Sequence, residues 1–323
     1  MSAVPLDPAL PISEVGEFPL IAAITEIFEQ GESVLVGPGD DAAVVRIRNG
    51  HIVVSTDLLV EGRHFRRDWV PAVDVGARAA AQNLSDINAM GGVAHSLTIG
   101  LAAPSDLTVG WVLDFTRGFA AECAKVGASV VGGDVTASNQ LTIAVTVIGG
   151  CTVAPVLRSG AEPGDVVALC GRQGWSAGGL AVLARGFRSP RVLVEAYRRP
   201  EPPYDAGRIA AEAGASAMID VSDGLVADAG HIARASGVSI DLVAESFEVA
   251  EPLHAVGAAL GMDPLQFVLG GGEDHSLLAT FGADETLPAG WRIVGRVTEP
   301  GMDGPTVTVD GAPYEGSGGW THF

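Results

Sequence analysis

The chain has 323 residues, 47% hydrophobic and 18% charged, and its 39 acidic residues against 19 basic ones leave a formal net charge of −20. This length is too great for one ordinary core and suits two domains of roughly 150 residues, while the composition excludes a disordered chain. The acidic balance argues against a nucleic-acid or anionic-membrane partner, because such binding rests on Lys and Arg neutralising phosphates.

In chain order, "GEFPLIAAITEIFEQG" has helical periodicity. The β-branched runs "AAVVRI" and "HIVVSTD" predict a hairpin across the turn Asn49-Gly50. An alanine-rich helix is expected from Asp74 to Met90, ended by Gly91-Gly92. A strand "SLTIGLA", a helix from about Leu107 to Val126, and strands "ASVVGGD" and "LTIAVTVIGG" complete the first half. The order is mixed rather than a regular βαβ repeat, so we expect an α/β protein of the α+β kind with helices on one face of a mixed sheet. Pro163-Gly164-Asp165 turns into the first strand of a second α/β half. Helices follow at about 176–186 and 204–213, then strand "SAMID", a helix from Gly224 to Ala235 and strand "VSIDLV". The predicted domains are 1–150 and 151–323.

Lys125 is the only lysine. A Walker A loop and a protein-kinase strand lysine are thereby excluded, and Schiff-base chemistry is disfavoured. If such a chain handles phosphates, it must use metal ions, arginine and backbone N–H groups. Apolar runs such as "LTIAVTVIGG" fall short of the roughly 20 residues that span a bilayer. The N-terminus lacks a basic segment followed by an apolar one, and the reading is a cytoplasmic protein. Cys123, Cys151 and Cys170 are scattered without C-x-x-C spacing and read as small buried hydrophobes.

One kind of element recurs: "GPGDD" at 37–41, "STD" at 55–57, "LSD" at 84–86, "GGD" at 132–134, "IDVSDG" at 219–224 and "GGGED" at 270–274. In most of them an acidic residue follows a small one at or near the end of an apolar strand, whereas Asp86 falls in a helical pattern. Any one alone would be a cap or turn. Six together would repel one another unless cations neutralised them. Asp with Ser and Thr hydroxyls is a hard oxygen set that favours Mg²⁺, and Mg²⁺ brings substrate phosphates. The adjacent Asp40 and Asp41 therefore read as part of a multi-metal phosphate site.

The same residues carry a resemblance. "GEFPLI", "GPGDDAAV", "STDLLVEGRHF", "NLSDINAMGG", "VGGDVT", "LRSGAEPGD", "IDVSDGL", "GGGED" and "GWTHF" resemble the thiamine-monophosphate kinase family, in order and over nearly the whole chain. The wider superfamily of aminoimidazole ribonucleotide synthetase and related ATP-using enzymes shares the Asp-rich plan but not this set. The resemblance implies transfer of phosphate from ATP to thiamine monophosphate, several Mg²⁺ ions, and a homodimer in which the N-terminal sheets of two subunits pair. It implies Asp41, Ser55, Thr56, Asp57, Asp86, Asp134, Asp220 and Asp223 as metal ligands. Gly133, Asp134, Arg158 and Ser222 would contact ATP, and His64, Glu273 and Trp320 the thiamine compound. From the residues alone, His64 reads equally as a satisfied surface histidine, Arg158 as a turn salt bridge and Trp320 as a packed aromatic. The family has Tyr and Glu after "GGED", where this chain has His275 and Ser276.

The implied chemistry suits these residues. An acceptor that is already an ionised phosphate monoester gains little from a general base. The obstacle is repulsion between two anions, so direct in-line attack without a covalent nucleophile is expected. The alternatives are another ATP-using synthetase of the superfamily, or a non-catalytic metal- or nucleotide-binding protein on the same scaffold.

Overall fold

The computed structural model describes residues 6–36, 44–46 and 51–316. The chain divides into two compact units, one of residues 1–87 and 93–150, the other of residues 88–92 and 151–323. Among the described residues no helix is long and apolar enough to cross a membrane.

The first unit runs α1 (Ile12–Val15), α2 (Glu17–Thr25), β1 (Val34–Val36), β2 (Val44–Val45), β3 (His51–Val60), α3 (Ala72–Ala89), β4 (Val93–Ala103), α4 (Val109–Ala124), β5 (Ser129–Ala137) and β6 (Thr142–Cys151). Its four-stranded sheet has the order β3-β6-β4-β5. β4 lies antiparallel to β6, with Leu97 opposite Val147, and parallel to β5, with Gly100 opposite Asp134. Strict alternation along β6 buries Ile143, Val145 and Val147 completely against the helical side, with Val112, Phe115 and Phe119 of α4 equally inaccessible. Each such side chain stabilises the fold by about 1.5–3 kcal/mol. Phe119 meets Phe28 edge-to-face at 6.4 Å, which ties the segment after α2 to α4. On β3 the other face stays open within the single chain: Ile52, Val54 and Leu58 are 53%, 60% and 54% exposed.

Among the described residues the hairpin expected across Asn49-Gly50 is not the observed pairing. β2 pairs with β1, Val45 opposite Val34, in a separate two-stranded sheet, while β3 joins β6. A permissive turn dipeptide allows a hairpin but does not select the partner, and the ten-residue β3 finds a longer mate in β6. The turn itself lies outside the described residues.

Thr108 caps α4, its hydroxyl accepting the Trp111 N–H at 3.2 Å. At the other end Lys125 forms an ion pair with Glu122 at 2.8 Å. All three cysteines are free and buried, and burial raises each thiol's pKa, so they act as core hydrophobes.

The second unit comprises β7 (Val166–Cys170), α5 (Trp175–Ala184), α6 (Arg191–Arg198), α7 (Ala206–Glu212), β8 (Ala217–Val221), α8 (Leu225–Ser236), β9 (Ser239–Leu242), α9 (Glu251–Leu260), α10 (Leu265–Gly270), β10 (Ser276–Phe281), β11 (Trp291–Thr298), β12 (Val307–Val309) and β13 (Ala312–Pro313). Its seven-stranded sheet has the order β13-β12-β9-β11-β7-β10-β8, antiparallel except where β12 runs along β9. Ala168, Met218, Leu277, Ala279 and Phe281 form its core. β8 lies at the sheet's edge and ends where α8 is about to begin, which places the "DVSDG" segment at a strand-to-helix junction.

Candidate functional site

In the first unit the functional side chains stand on β3 and the last turns of α3. Ser55 donates to Asp86 Oδ2 at 2.5 Å, so the strand hydroxyl and the helix carboxylate are brought together. Asp57, two residues on, projects to the same side as Ser55. Thr56 projects to the opposite side, where its hydroxyl lies 2.9 Å from that of Thr146 on β6. Asp57 and Asp134 lie inside β3 and β5 rather than at strand ends, contrary to the expectation from sequence. The reason is that both strands continue past their acids in pairs that a local pattern does not reveal. Gly133 pairs with Ile99, and a Cβ there would strike the Ile99 carbonyl, so the strand beside Asp134 has no room for a side chain.

After β3 the chain turns through a loop in which His64 Nδ1 accepts the Val60 N–H at 2.9 Å. That bond leaves the proton of the neutral ring on Nε2. Beside it Arg66 pairs with Asp68 at 2.8 Å and lies 4.3 Å over the Trp69 ring, and Arg67 pairs with Glu61 at 2.6 Å. Asp40, Asp41 and Trp320 lie outside the described residues.

In the second unit two segments meet. Glu273 N–H donates to the Ser222 carbonyl at 2.9 Å and His275 N–H to the Val221 carbonyl at 3.2 Å, which lays "GGED" along "DVSD". The approach is close: a Cβ on Gly272 would collide with the Ser222 carbonyl. Glu273 and His275 hold φ of 67° and 52°, a left-handed backbone that side chains seldom adopt, so this contact is maintained against local preference. Asp220, buried on β8, lies 3.0 Å from His275 Nδ1. His275 thus puts an imidazole against an expected metal ligand. Ser276 beside it donates to Gln173 Oε1 at 2.7 Å.

Residues that sequence reasoning missed surround this segment. Asp228, in the first turn of α8, accepts the N–H groups of Ser222, Asp223 and Gly224 on one oxygen, at 3.1, 3.0 and 3.1 Å. Burial pushes its carboxyl up to about 7 despite those bonds, and Asp220 and Asp223 add to the rise. Asp274 accepts the Ser176 N–H at 2.9 Å at the start of α5. Burial raises it also to about 7, opposed by that N–H and by Arg172. Ligand atoms of Asp223, Asp228 and His231 lie within 4.8 Å of one another. Arg158, exposed, acts on the same place: with Arg234 it lowers the pKa of His231, an effect second to burial. Asp228 carries no sequence signal beyond that of an ordinary acid near a helix N-terminus.

The donor set fits a hard divalent cation. Carboxylates and hydroxyls dominate both groups, one built of Ser55, Asp57 and Asp86, the other of Asp220 and Asp223.

Residues 39–151 match the model of the AIR synthase related protein, N-terminal domain, and residues 162–304 that of the AIR synthase related protein, C-terminal domain. The thiamine-monophosphate kinase of Mycobacterium tuberculosis is 45% identical over 315 residues, covering 97% of this chain and 93% of that protein. The chain belongs to the thiamine-monophosphate kinase family. Among solved members of that family, the thiamine-monophosphate kinase of Stenotrophomonas maltophilia K279a superposes with a TM-score of 0.79 at 30% identity, covering 93% of this chain and 98% of that one. AaThiL complexed with AMPPCP and TMP gives a TM-score of 0.78 at 32% identity, covering 96% and 98%.

Proposed function

We infer that the chain transfers the terminal phosphoryl group of ATP to thiamine monophosphate, giving ADP and thiamine diphosphate. The observation that carries this is the likeness, over 96% of the chain, to AaThiL complexed with AMPPCP and TMP. Bound Mg²⁺ would neutralise the phosphates of ATP and of the acceptor monophosphate and the charge spread over the transferring group. On this chain Asp41, Ser55, Thr56, Asp57, Asp86, Asp134, Asp220 and Asp223 would hold it. Gly133, Asp134, Arg158 and Ser222 would bind and orient ATP, and His64, Glu273 and Trp320 the thiamine compound. Support comes from the Ser55–Asp86 bond, the contact of Ser222 with Glu273, and the charges of Arg158 and Asp223 both acting on His231. Since the acceptor oxygen is already ionised, no side chain need act as a nucleophile, and the protein's task is to position two anions in line.

A homodimer is part of this reading. The open face of β3 presents Ile52, Val54 and Leu58, the kind of apolar strand surface that a second sheet covers. We also place the protein in the cytoplasm, in keeping with its three free thiols.

A coupled assay of ADP release across candidate acceptors tests the activity. ADP should form only with thiamine monophosphate and a divalent cation, and excess chelator should abolish it. Equal release without thiamine monophosphate, or full turnover in chelator, overturns the reading.

A further inference from the structure

We propose that Asp228 is a positioning residue that holds the Ser222–Gly224 loop in the shape presenting Ser222 and Asp223 to a cation-bound polyphosphate, and that it is not itself a cation ligand. This rests on the reading of Ser222 and Asp223 given under Proposed function. Asp228 is 2% exposed, and one of its carboxylate oxygens receives three consecutive backbone N–H groups at 3.0–3.1 Å. A carboxylate oxygen offers about two lone pairs, so three donors leave none for a metal on that oxygen, and the positive ends of three N–H dipoles oppose a cation beside it; only the second oxygen keeps lone pairs. The loop is clasped on its other side as well, where the Ser222 carbonyl accepts the Glu273 N–H at 2.9 Å. Gly224, at φ 141°, gives the turn into α8 a backbone that only glycine adopts with ease.

The competing assignment makes Asp228 a ligand together with Asp223 and His231, whose donor atoms lie within 4.8 Å of one another. The surroundings oppose it. His231 Nδ1 lies 3.3 Å from an Arg234 guanidinium nitrogen, and the charge of Arg158 also acts on that ring. The charge of Arg234 beside the ring and that of Arg158 disfavour a cation there, opposed by the carboxylate of Asp223. What remains is a division of work: Asp223 carries charge toward the ligand, and Asp228 fixes the backbone from which Asp223 projects.

The test uses the whole chain as Asp228→Ala, Asp228→Asn and Asp223→Asn. It reads amide hydrogen exchange at residues 222–224 in metal-free protein, and calorimetric affinity for the ATP analogue AMPPCP with Mg²⁺. Asp228→Ala should speed exchange of the three amides and weaken binding by about tenfold or more, as expected when the support of a ligand is removed. Asp228→Asn keeps an oxygen that accepts N–H groups, so its binding should weaken by only about two- to threefold. Asn as damaging as Ala, or Ala binding as wild type, overturns the proposal. Should Asp228→Ala fail to fold, Asp228→Asn decides alone: faster exchange with weaker binding upholds the proposal, and either one unchanged overturns it. Asp223→Asn separates the two levels. Wild-type binding by that variant removes the underlying reading of the loop, whereas weakened binding there with unaffected Asp228 variants removes only the positioning role.

Discussion

The two groups of candidate ligands are built differently. On β3 the hydroxyl of Ser55 and the carboxylate of Asp57 stand on an extended strand whose backbone bonds are spent on the sheet, and Asp86 reaches Ser55 from a helix. At the β8–α8 junction the backbone of the ligand loop is itself tied to a buried carboxylate, and Asp220 is buried against His275. The first arrangement borrows its shape from regular structure, so charge can be altered there without disturbing the fold. In the second, charge and fold are the same set of bonds, and a change to one is felt by the other.

The sharpest way to break this contrast is Asp57→Asn, which keeps shape and removes charge. Activity should fall by roughly 10²-fold or more, as when one charge-stabilising element of a preorganised site is lost. The melting temperature should hold, because relief of repulsion among neighbouring carboxylates offsets lost contacts. Asp106→Asn, before the capped start of α4, serves as control, and near-normal ADP release by Asp57→Asn would refute the charge-bearing role of β3.

A second experiment asks whether the open face of β3 belongs to an interface. Val54→Asp puts a charge on a side chain that is 60% exposed in the single chain, so it should leave the subunit folded. If a partner sheet covers that face, the buried charge should shift the assembly from dimer to monomer by light scattering at micromolar concentration. A wild-type chain that is already monomeric would contradict the dimer.

The smallest expected effect concerns pH and the second unit. Asp274 has its folded-state pKa raised from the ordinary value of 3.8 to about 7 by burial. The folded state therefore holds a proton that the unfolded state has released, and this stability is complete below about pH 4 and lost as pH rises through about 7. Wild-type melting temperature should decline across that window. Asp274→Asn, which cannot ionise, should decline less, by about 2–4 °C for each kcal/mol removed. Parallel curves for the two proteins would show that Asp274 does not titrate in this range.

Much of the candidate site is legible in the residues because its chemistry demands acids beside small residues, and Ser55, Asp57, Asp220 and Asp223 fall in such patterns. The fold class is legible for a similar reason: the 3.6-residue period of α3 and α4 and the apolar alternation of β6 are strong local signals. What is not legible depends on contacts distant in sequence. Asp228 looks like any acid near a helix start, and only the backward curl of residues 222–224 gives its oxygen three donors. His275 looks like a polar residue after a turn until β10 lies beside β8 and sets the ring against Asp220. The Asn49-Gly50 signal describes a turn and says nothing of which strand β3 joins, which among the described residues is β6.

The lone lysine has a practical consequence. Lys125 sits just past α4, its side chain half exposed and its partner Glu122 nearly buried. Among side chains, an amine-reactive fluorophore has this one target, at a defined helix end, and the chain's α-amino group is the other site it would modify. With the α-amino group blocked, energy transfer between two such dyes would report whether two chains pair.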